Sequence, residues 1–348
     1  MTDNRKMNIL VPILSVLLGF LVGAIIMIAY GYNPIAGYSA LFQGAFGSLY
    51  NVGETIRRTI PLVLTGLAVA FAFRAGLFNI GAEGQVFVGW FAAVWVGVTF
   101  ELPAIIHIPV AILAAALAGA IWAAVPGILK ATRGVHEVVV TIMMNYIALH
   151  VTNYLIRTVL SDGGSQSARI SQSASLSTQG LKEMFGYSQI HWGFVVSIIL
   201  AVFIWFFLER TTYGFELRAV GFNPNAANYA GMSVKRNIIL AMMLSGALAG
   251  VGGAMEGIGT FGYMYTHASY TNLGFDGIAV ALLGANTAPG VVIAAFLFGA
   301  LKVGALSMPP LSGVPSELVD IVIAMIIFFV AASYMIRLLI LRFSKGEK

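Results

Sequence analysis

The sequence predicts an all-α polytopic transmembrane helix bundle of about ten spanning helices, with both termini cytoplasmic and one or more helices broken or re-entrant. Three observations carry that reading. The chain is 59% hydrophobic and only 9% charged, where an ordinary soluble domain is about 25% charged. Apolar runs of about 20 residues, the length that crosses ~30 Å of hydrocarbon as a helix, recur from end to end with no soluble domain between them. The basic residues also fall unevenly between alternate connections. Residues 1–348 therefore read as a single transmembrane domain.

Arg5 and Lys6 precede an apolar run over 9–30 that is longer than a signal-peptide core and lacks an A-x-A cleavage pattern, so it reads as a retained first span. Further spans follow over 59–73, 84–100, 108–129, 137–157, 191–208, 237–257, 274–286, 290–307 and 316–339. An even count places both termini on one side. With Arg5 and Lys6 inside, the cytoplasmic set also receives Arg74, Lys130, Arg133, Arg210, Arg218, Lys235, Arg236 and the basic residues from Arg337 onward. The outside set holds Arg57, Arg58, Arg157, Arg169 and Lys182, and this asymmetry is the positive-inside pattern. Small residues four apart, as at Gly19 and Gly23, Ala115 and Gly119, or Gly246 and Gly250, indicate close helix packing.

Two connections are long. The external one, about 158–190, contains "SDGGSQSARISQSASLSTQG" and reads as a solvated loop with a short helix at "LKEMFG". The internal one, about 209–236, is polar, yet Gly214, Gly221 and Pro224 punctuate it and Asn223-Pro224 is a helix start for "PNAANYAGM". It suits either a solvated loop or a docking element.

Several chemistries are excluded. With no cysteine there is no disulfide or thiolate chemistry, and the five histidines (107, 136, 150, 191 and 267) show no metal-ligand spacing, so no metal site is expected. No acid–base pair or activated nucleophile suggests an enzyme. The formal net charge of +5 reports topology here, and no nucleic-acid partner is expected.

Polar groups inside a bilayer are costly, roughly 2.5–3.5 kcal/mol for a charge at a helix centre on insertion scales, so they face protein or a watery path. Asn79, Glu83 and Gln85 cluster in "FRAGLFNIGAEGQVFVGW", where Gly76, Gly81 and Gly84 weaken helix continuity. That stretch is either a cytoplasmic turn, which Arg74 favours, or a broken helix at a substrate site. In "TIMMNYIALHVTN", Thr141, Asn145, Ala148 and Thr152 share one helix face, and Tyr146, His150, Asn153 and Arg157 the nearly opposite one. Polarity on both faces predicts a central helix with lipid on neither. "TNLGFDGIAVALLGANTAPG" repeats the theme of glycine, aromatic and carboxylate before an apolar run. Candidate residues lining or shaping a path are Phe78, Asn79, Glu83, Gln85, Asn145, Tyr146, Phe275 and Asp276: amides and carboxylates to hydrogen-bond a polar solute, aromatics to stack on it.

The segments "FRAGLFNIGAEGQ", "HEVVVTIMMNYIA", "GFELRAVGFNPNAANYAGMSVKR", "SGALAGVGGAMEG" and "GFDGIAVALLG", in this order over most of the chain, resemble the permease subunits of bacterial ABC importers for branched-chain amino acids, simple sugars and nucleosides. "FNIGAEGQ" and "TIMMNYIA" resemble the nucleoside, guanosine-type members that work with a BMP-type extracellular lipoprotein. The resemblance implies a bacterial cell-membrane protein paired with a second, different permease and served by a cytoplasmic ABC ATPase. Residues 209–236 match the family's coupling segment, with Arg218, Gly221, Pro224, Ala227 and Gly231 on matching positions. The chain has no G-x-x-x-x-G-K-[ST] motif, so it binds no cofactor of its own by that route; ATP and Mg belong to the partner ATPase. Permeation of simple sugars or branched-chain amino acids, or ion-coupled secondary transport using Glu83, Asp276 or Glu256, are the alternatives.

Overall fold

A computed structural model describes residues 2–332. The basic residues from Arg337 onward and the end of the expected 316–339 span lie outside the described residues. The α-helices, in order, are α1 (Thr2–Ala29), α2 (Pro34–Phe46), α3 (Leu49–Arg74), α4 (Ala82–Thr99), α5 (Ala104–Arg133), α6 (Glu137–Leu155), α7 (Gln179–Met184), α8 (Gly193–Arg210), α9 (Thr212–Phe222), α10 (Pro224–Tyr229), α11 (Val234–Ala254), α12 (Leu273–Leu283), α13 (Ala288–Ala305), α14 (Met308–Ser312) and α15 (Ser316–Ala331). Single π-helical turns extend α6 through Ile156–Leu160 and α11 through Met255–Phe261.

Among the described residues, six stretches are long and apolar enough to cross a membrane: Leu49–Arg74, Ala104–Arg133, Glu137–Leu160, Gly193–Arg210, Val234–Phe261 and Ala288–Ala305. The chain is thus an all-helical polytopic membrane protein. The expected span over 274–286 meets something shorter. Helix α12 has 11 residues, and at 1.5 Å per residue it is about 16 Å long, half a crossing. Before it, residues 262–272 run without helix between left-handed Gly262 and left-handed Asn272.

The chain divides into two compact units, one of residues 56–298 and one joining residues up to Thr55 with those from Gly299 onward. In the latter, Asn33 caps α2 by accepting the Ile35 N–H at 2.9 Å, and Gly23 lets α1 lie against Tyr38 and Val322. In the former, α11 packs between α4 and α5, and the small-residue stripes explain how closely. A methyl group added at Gly250 would overlap the Ala115 carbonyl on α5, and one at Gly253 the Val86 carbonyl on α4. Backbones that touch in this way gain dispersion contacts, the main attraction between helices where lipid is as apolar as the side chains. Ile60, Leu64, Ala93, Ala111, Ala115, Val251 and Ile258 close the adjoining core.

The external connection is less solvated than expected. It carries the short helix α7, but Ser167, Ala174 and Leu176 are buried. Residues 165–170 pair with 262–266 through Thr266 N to Ser165 O (2.8 Å), Ser167 N to Met264 O (2.8 Å) and Ile170 N to Gly262 O (2.9 Å). Gln166 and Tyr265 form an isolated antiparallel bridge, the only strand-like pairing among the described residues. The polar serines are used here to satisfy a non-helical segment rather than to meet water.

Candidate functional site

The helix α3 stops at Arg74, and left-handed Gly76 turns the chain back. Residues 77–81 are neither a surface turn nor helix: Leu77, Asn79 and Gly81 are buried. Asn79 organises the passage. Its Oδ1 accepts the Gly81 N–H at 2.9 Å, and its Nδ2 donates to Gln85 Oε1 (2.9 Å) and Ser245 Oγ (2.8 Å). Gln85 returns a bond from Nε2 to Asn79 Oδ1 at 3.2 Å, and Ser245 donates to Ala68 O at 2.6 Å. Asn79 is therefore level with Ala68, about 9 Å along α3 from its Arg74 end at 1.5 Å per residue. The chain re-enters the bundle before α4 begins.

Helix α4 starts inside protein, where its free amide N–H groups need acceptors. Gly81 at the cap offers no side chain. Asn145 of α6 supplies the bond from outside: its Oδ1 accepts the Gly84 N–H at 2.8 Å while its Nδ2 donates to Ile80 O at 3.0 Å. A second helix start lies beside it. Glu83 Oε1 accepts from Thr271 N (2.7 Å), Thr271 Oγ1 (2.7 Å) and Asn272 N (2.9 Å), and Oε2 accepts from Gly274 N (2.7 Å). One carboxylate thus caps the first turn of α12, where the helix dipole favours negative charge. Gly274 is required because a Cβ there would strike the Glu83 backbone. The two sequence segments that shared a theme touch each other at this point.

Asn79, Glu83, Gln85 and Asn145 are all buried around the start of α4, where Asn79 pairs with Gln85, Asn145 holds the Ile80 and Gly84 backbone, and Glu83 holds α12. Phe78 stands apart from these, its ring tilted 32° against that of Phe73 with centroids 4.9 Å apart. Tyr146 and Phe275 bracket Tyr270, at 5.4 and 5.7 Å. Asp276 lies in the first turn of α12, its N–H bonded to Asn272 O at 2.8 Å. Within this chain α6 buries one of its two polar faces. Thr141, Asn145, Ala148 and Thr152 are buried, whereas Tyr146, His150 and Arg157 on the other face are exposed within this chain, Tyr146 by 52%. Glu317 stands in the first turn of α15, as its charge suggests.

Residues 209–236 are ordered at the same end as Arg74. Glu209 forms ion pairs with Arg74 and, at 2.9 Å, with Arg218 of α9. Gly221 meets the Gly76 backbone directly, and any side chain at either position would strike the other's main chain. Asn223 caps α10 by accepting from Asn225 N (3.0 Å) and Ala226 N (3.1 Å), with Pro224 at the first helical position. Ala227 is buried, and left-handed Gly231 ends the element. Phe222 and Tyr229 are more than nine-tenths exposed, and sequence reasoning passed over them. Two aromatics in a polar segment, each next to a helix end, were the available signal.

The residues 51–331 match the family described as "Branched-chain amino acid transport system / permease component". The chain belongs to this family of permease components. It is 59% identical over 96% of its length to the guanosine ABC transporter permease protein NupP of Bacillus subtilis, covering 96% of that protein. It is 42% identical to the nucleoside ABC transporter permease protein NupB of Lactococcus lactis, over 97% of this chain and 94% of that one. With the glucose ABC transporter permease protein TsgB13 of Haloferax volcanii it shares 36%, over 92% of this chain and 87% of the other. No solved structure matches it. As a permease component with, among the described residues, six helices long and apolar enough to cross a membrane, the chain is a multi-pass integral protein of the cell membrane.

Proposed function

We propose that this chain is the membrane-spanning permease subunit of an ATP-driven ABC importer that carries nucleosides into the cell. The end-to-end 59% identity to a guanosine permease carries the substrate class. The mechanical reading rests on the meeting of α4 and α12 at Glu83 inside the bundle, since half-helices of this type border transported solutes. Ten crossings, counting α1, α4, α12 and α15 with the six long spans, put both termini in the cytoplasm and make one permease domain of the whole chain.

The chain does no covalent chemistry. A cytoplasmic ABC ATPase binds ATP and Mg and docks on residues 209–236, using Arg218, Gly221, Pro224, Ala227 and Gly231 to shape a rigid lever that presents Phe222 and Tyr229. Motion of α9 passes through the Gly221–Gly76 contact and the Arg74–Glu209 pair into the non-helical 77–81 passage. From there Asn79, Gln85 and Asn145 carry it to the base of α4, and Glu83 to α12. A second, different permease covers the open face of α6, so that Tyr146, with Phe78, Phe275 and Asp276, borders the path between the two chains. An extracellular BMP-type lipoprotein delivers the nucleoside.

The test is uptake by inside-facing, ATP-loaded vesicles carrying the complex, with labelled guanosine, glucose and leucine compared. ATP-dependent accumulation of guanosine alone supports the proposal. Glucose or leucine uptake in its place would reassign the substrate. Uptake that an uncoupler abolishes and ATPase loss leaves intact would make the protein an ion-coupled carrier.

A further inference from the structure

A cavity of about 380 Å³ opens where the 262–272 segment leaves the end of α11 and turns toward α12. Its size lies in the ~300–1,000 Å³ range of small-molecule sites. It stands apart from the buried amide system at the start of α4, and none of its wall residues was among the path candidates read from sequence. Three aromatic rings form one side. Trp90 stacks on Phe261 with centroids 5.3 Å apart and planes 16° from parallel, and Tyr265 meets it edge-on at 5.8 Å. The indole N–H is already used, donating to Tyr263 O at 3.1 Å, so the buried Trp90 is a fixed backing for Phe261 and Tyr265, the partly exposed aromatics that face the cavity.

His267 supplies the polar element. Its backbone is held from both sides by Asn153, which accepts the His267 N–H at 2.9 Å and donates to its carbonyl at 2.8 Å. The ring lies 4.3 Å from Tyr265 and 5.3 Å from Trp90. The residue is 8% exposed, and Nε2 is buried with no hydrogen-bond partner among the described residues. A buried polar atom left in that condition costs about 1–3 kcal/mol, and native proteins seldom keep one without use. Arg58 and Glu256 bring donors and acceptor oxygens to the same cavity. On the other side Thr271 both lines the cavity and gives its N–H and hydroxyl to Glu83.

The ligand that fits this arrangement is flat, aromatic and rimmed with hydrogen-bonding groups. A free sugar has no extended π face for the aromatic wall, and a branched aliphatic amino acid has no polar ring edge for His267. Taking the nucleoside-importer reading as its basis, we infer that the cavity walled by Trp90, Phe261 and Tyr265 holds the nucleobase during transport, with His267 Nε2 engaging the base's polar edge. Thr271 then makes the cavity contiguous with the Glu83 clamp, so occupancy is felt at the start of α12.

The chain contains no cysteine, so Ser269→Cys places a single thiol on this chain at the exposed rim of the cavity. The assembled complex in membranes is treated with a small methanethiosulfonate, and labelling is read from the mass of this chain. Guanosine and free guanine should slow labelling at least fivefold, while ribose and glucose leave it unchanged. Adding His267→Ala should raise the protecting guanosine concentration about tenfold, with the ligand-free labelling rate unaltered. If the complex imports guanosine but guanosine gives no protection, or if ribose protects equally, the cavity does not hold the base and the importer reading survives. If the wild-type complex imports no nucleoside, the importer reading itself has failed. Should Ser269→Cys not assemble, Ala268→Cys, also exposed on the rim, gives the same readings.

Discussion

The N–H of Gly274 donates to Glu83 Oε2 at 2.7 Å across 191 residues of sequence, and the other carboxylate oxygen accepts three more bonds from Thr271 and Asn272. One side chain thereby holds two helix starts together, with the Gly274 end of the clamp buried. Glu83→Ala strands the N–H groups of Thr271, Asn272 and Gly274. Each unsatisfied buried donor costs about 1–3 kcal/mol, so a loss of about 3 kcal/mol or more is expected in thermal unfolding of the detergent-purified complex. Glu83→Gln keeps one acceptor oxygen and should lose about half as much. Equal melting of all three proteins would show that the clamp carries no stability.

Asn145 does for α4 what a cap residue normally does from within its own helix. Asn145→Ala should cost about 1 kcal/mol, the usual loss for a missing cap. In the same melt Asn79→Ala and Gln85→Ala, tested singly and together, should be coupled, because each is both donor and acceptor to the other. Strictly additive effects would show that their two bonds act independently.

The approach of Gly76 to Gly221 leaves no room for a methyl group on either side. Gly221→Ala should leave the ATPase bound yet reduce the uptake driven per ATP hydrolysed by tenfold or more. Gly76→Ala adds a left-handed backbone penalty of about 1–2 kcal/mol, so it should also lower the melting temperature. Unaltered coupling in Gly221→Ala would exclude this contact as the transmission point.

Phe222 and Tyr229 touch almost nothing within the chain. Their replacement by alanine should change stability by no more than about 0.5 kcal/mol. Co-purification of the ATPase should nevertheless fall sharply. Full recovery of the ATPase with both substituted would place the docking surface elsewhere.

His191, outside the crossing helices, accepts the Gly193 N–H on Nδ1 at 3.2 Å. Burial, helped by the positive charges of Arg57 and Lys182, lowers its pKa from the ordinary 6.5 to about 3. The depressed value means that the folded chain resists a proton which the unfolded chain binds below pH 6.5. Stability should therefore be full above that pH and decline as pH falls, by about 2 kcal/mol at pH 5. His191→Gln should remove this part of the acid sensitivity, seen as a smaller melting shift between pH 7.5 and pH 5.

Much of this was legible in the sequence, and the exceptions share one physical cause. Apolar runs located the six long helices able to cross a membrane among the described residues, and Asn223-Pro224 marked the start of α10 from local capping chemistry alone. Asn79, Glu83, Gln85 and Asn145 stood out because their polarity was costly among apolar neighbours. Their partners were hidden, since the acceptor for Gly274 and the cap for Gly84 come from other helices far along the chain. Helix α12 read as a full span for the same reason. Its apolar residues satisfy a hydropathy window, and nothing local reveals that Glu83 starts the helix part-way through the bundle. The aromatic run 261–270 was overlooked because its polar member, His267, is positioned by Asn153 of α6 rather than by neighbours in sequence.

The central claim is that the α4–α12 junction shapes the path of a nucleoside. ATP-driven uptake of labelled guanosine by reconstituted complexes carrying wild-type chain, Glu83→Ala or Asn145→Ala measures it most directly, with assembly checked by co-purification. Uptake by assembled Glu83→Ala complexes should fall at least tenfold, with a smaller loss or a raised apparent KM for Asn145→Ala. Wild-type rates and KM for guanosine in both assembled variants would contradict the claim.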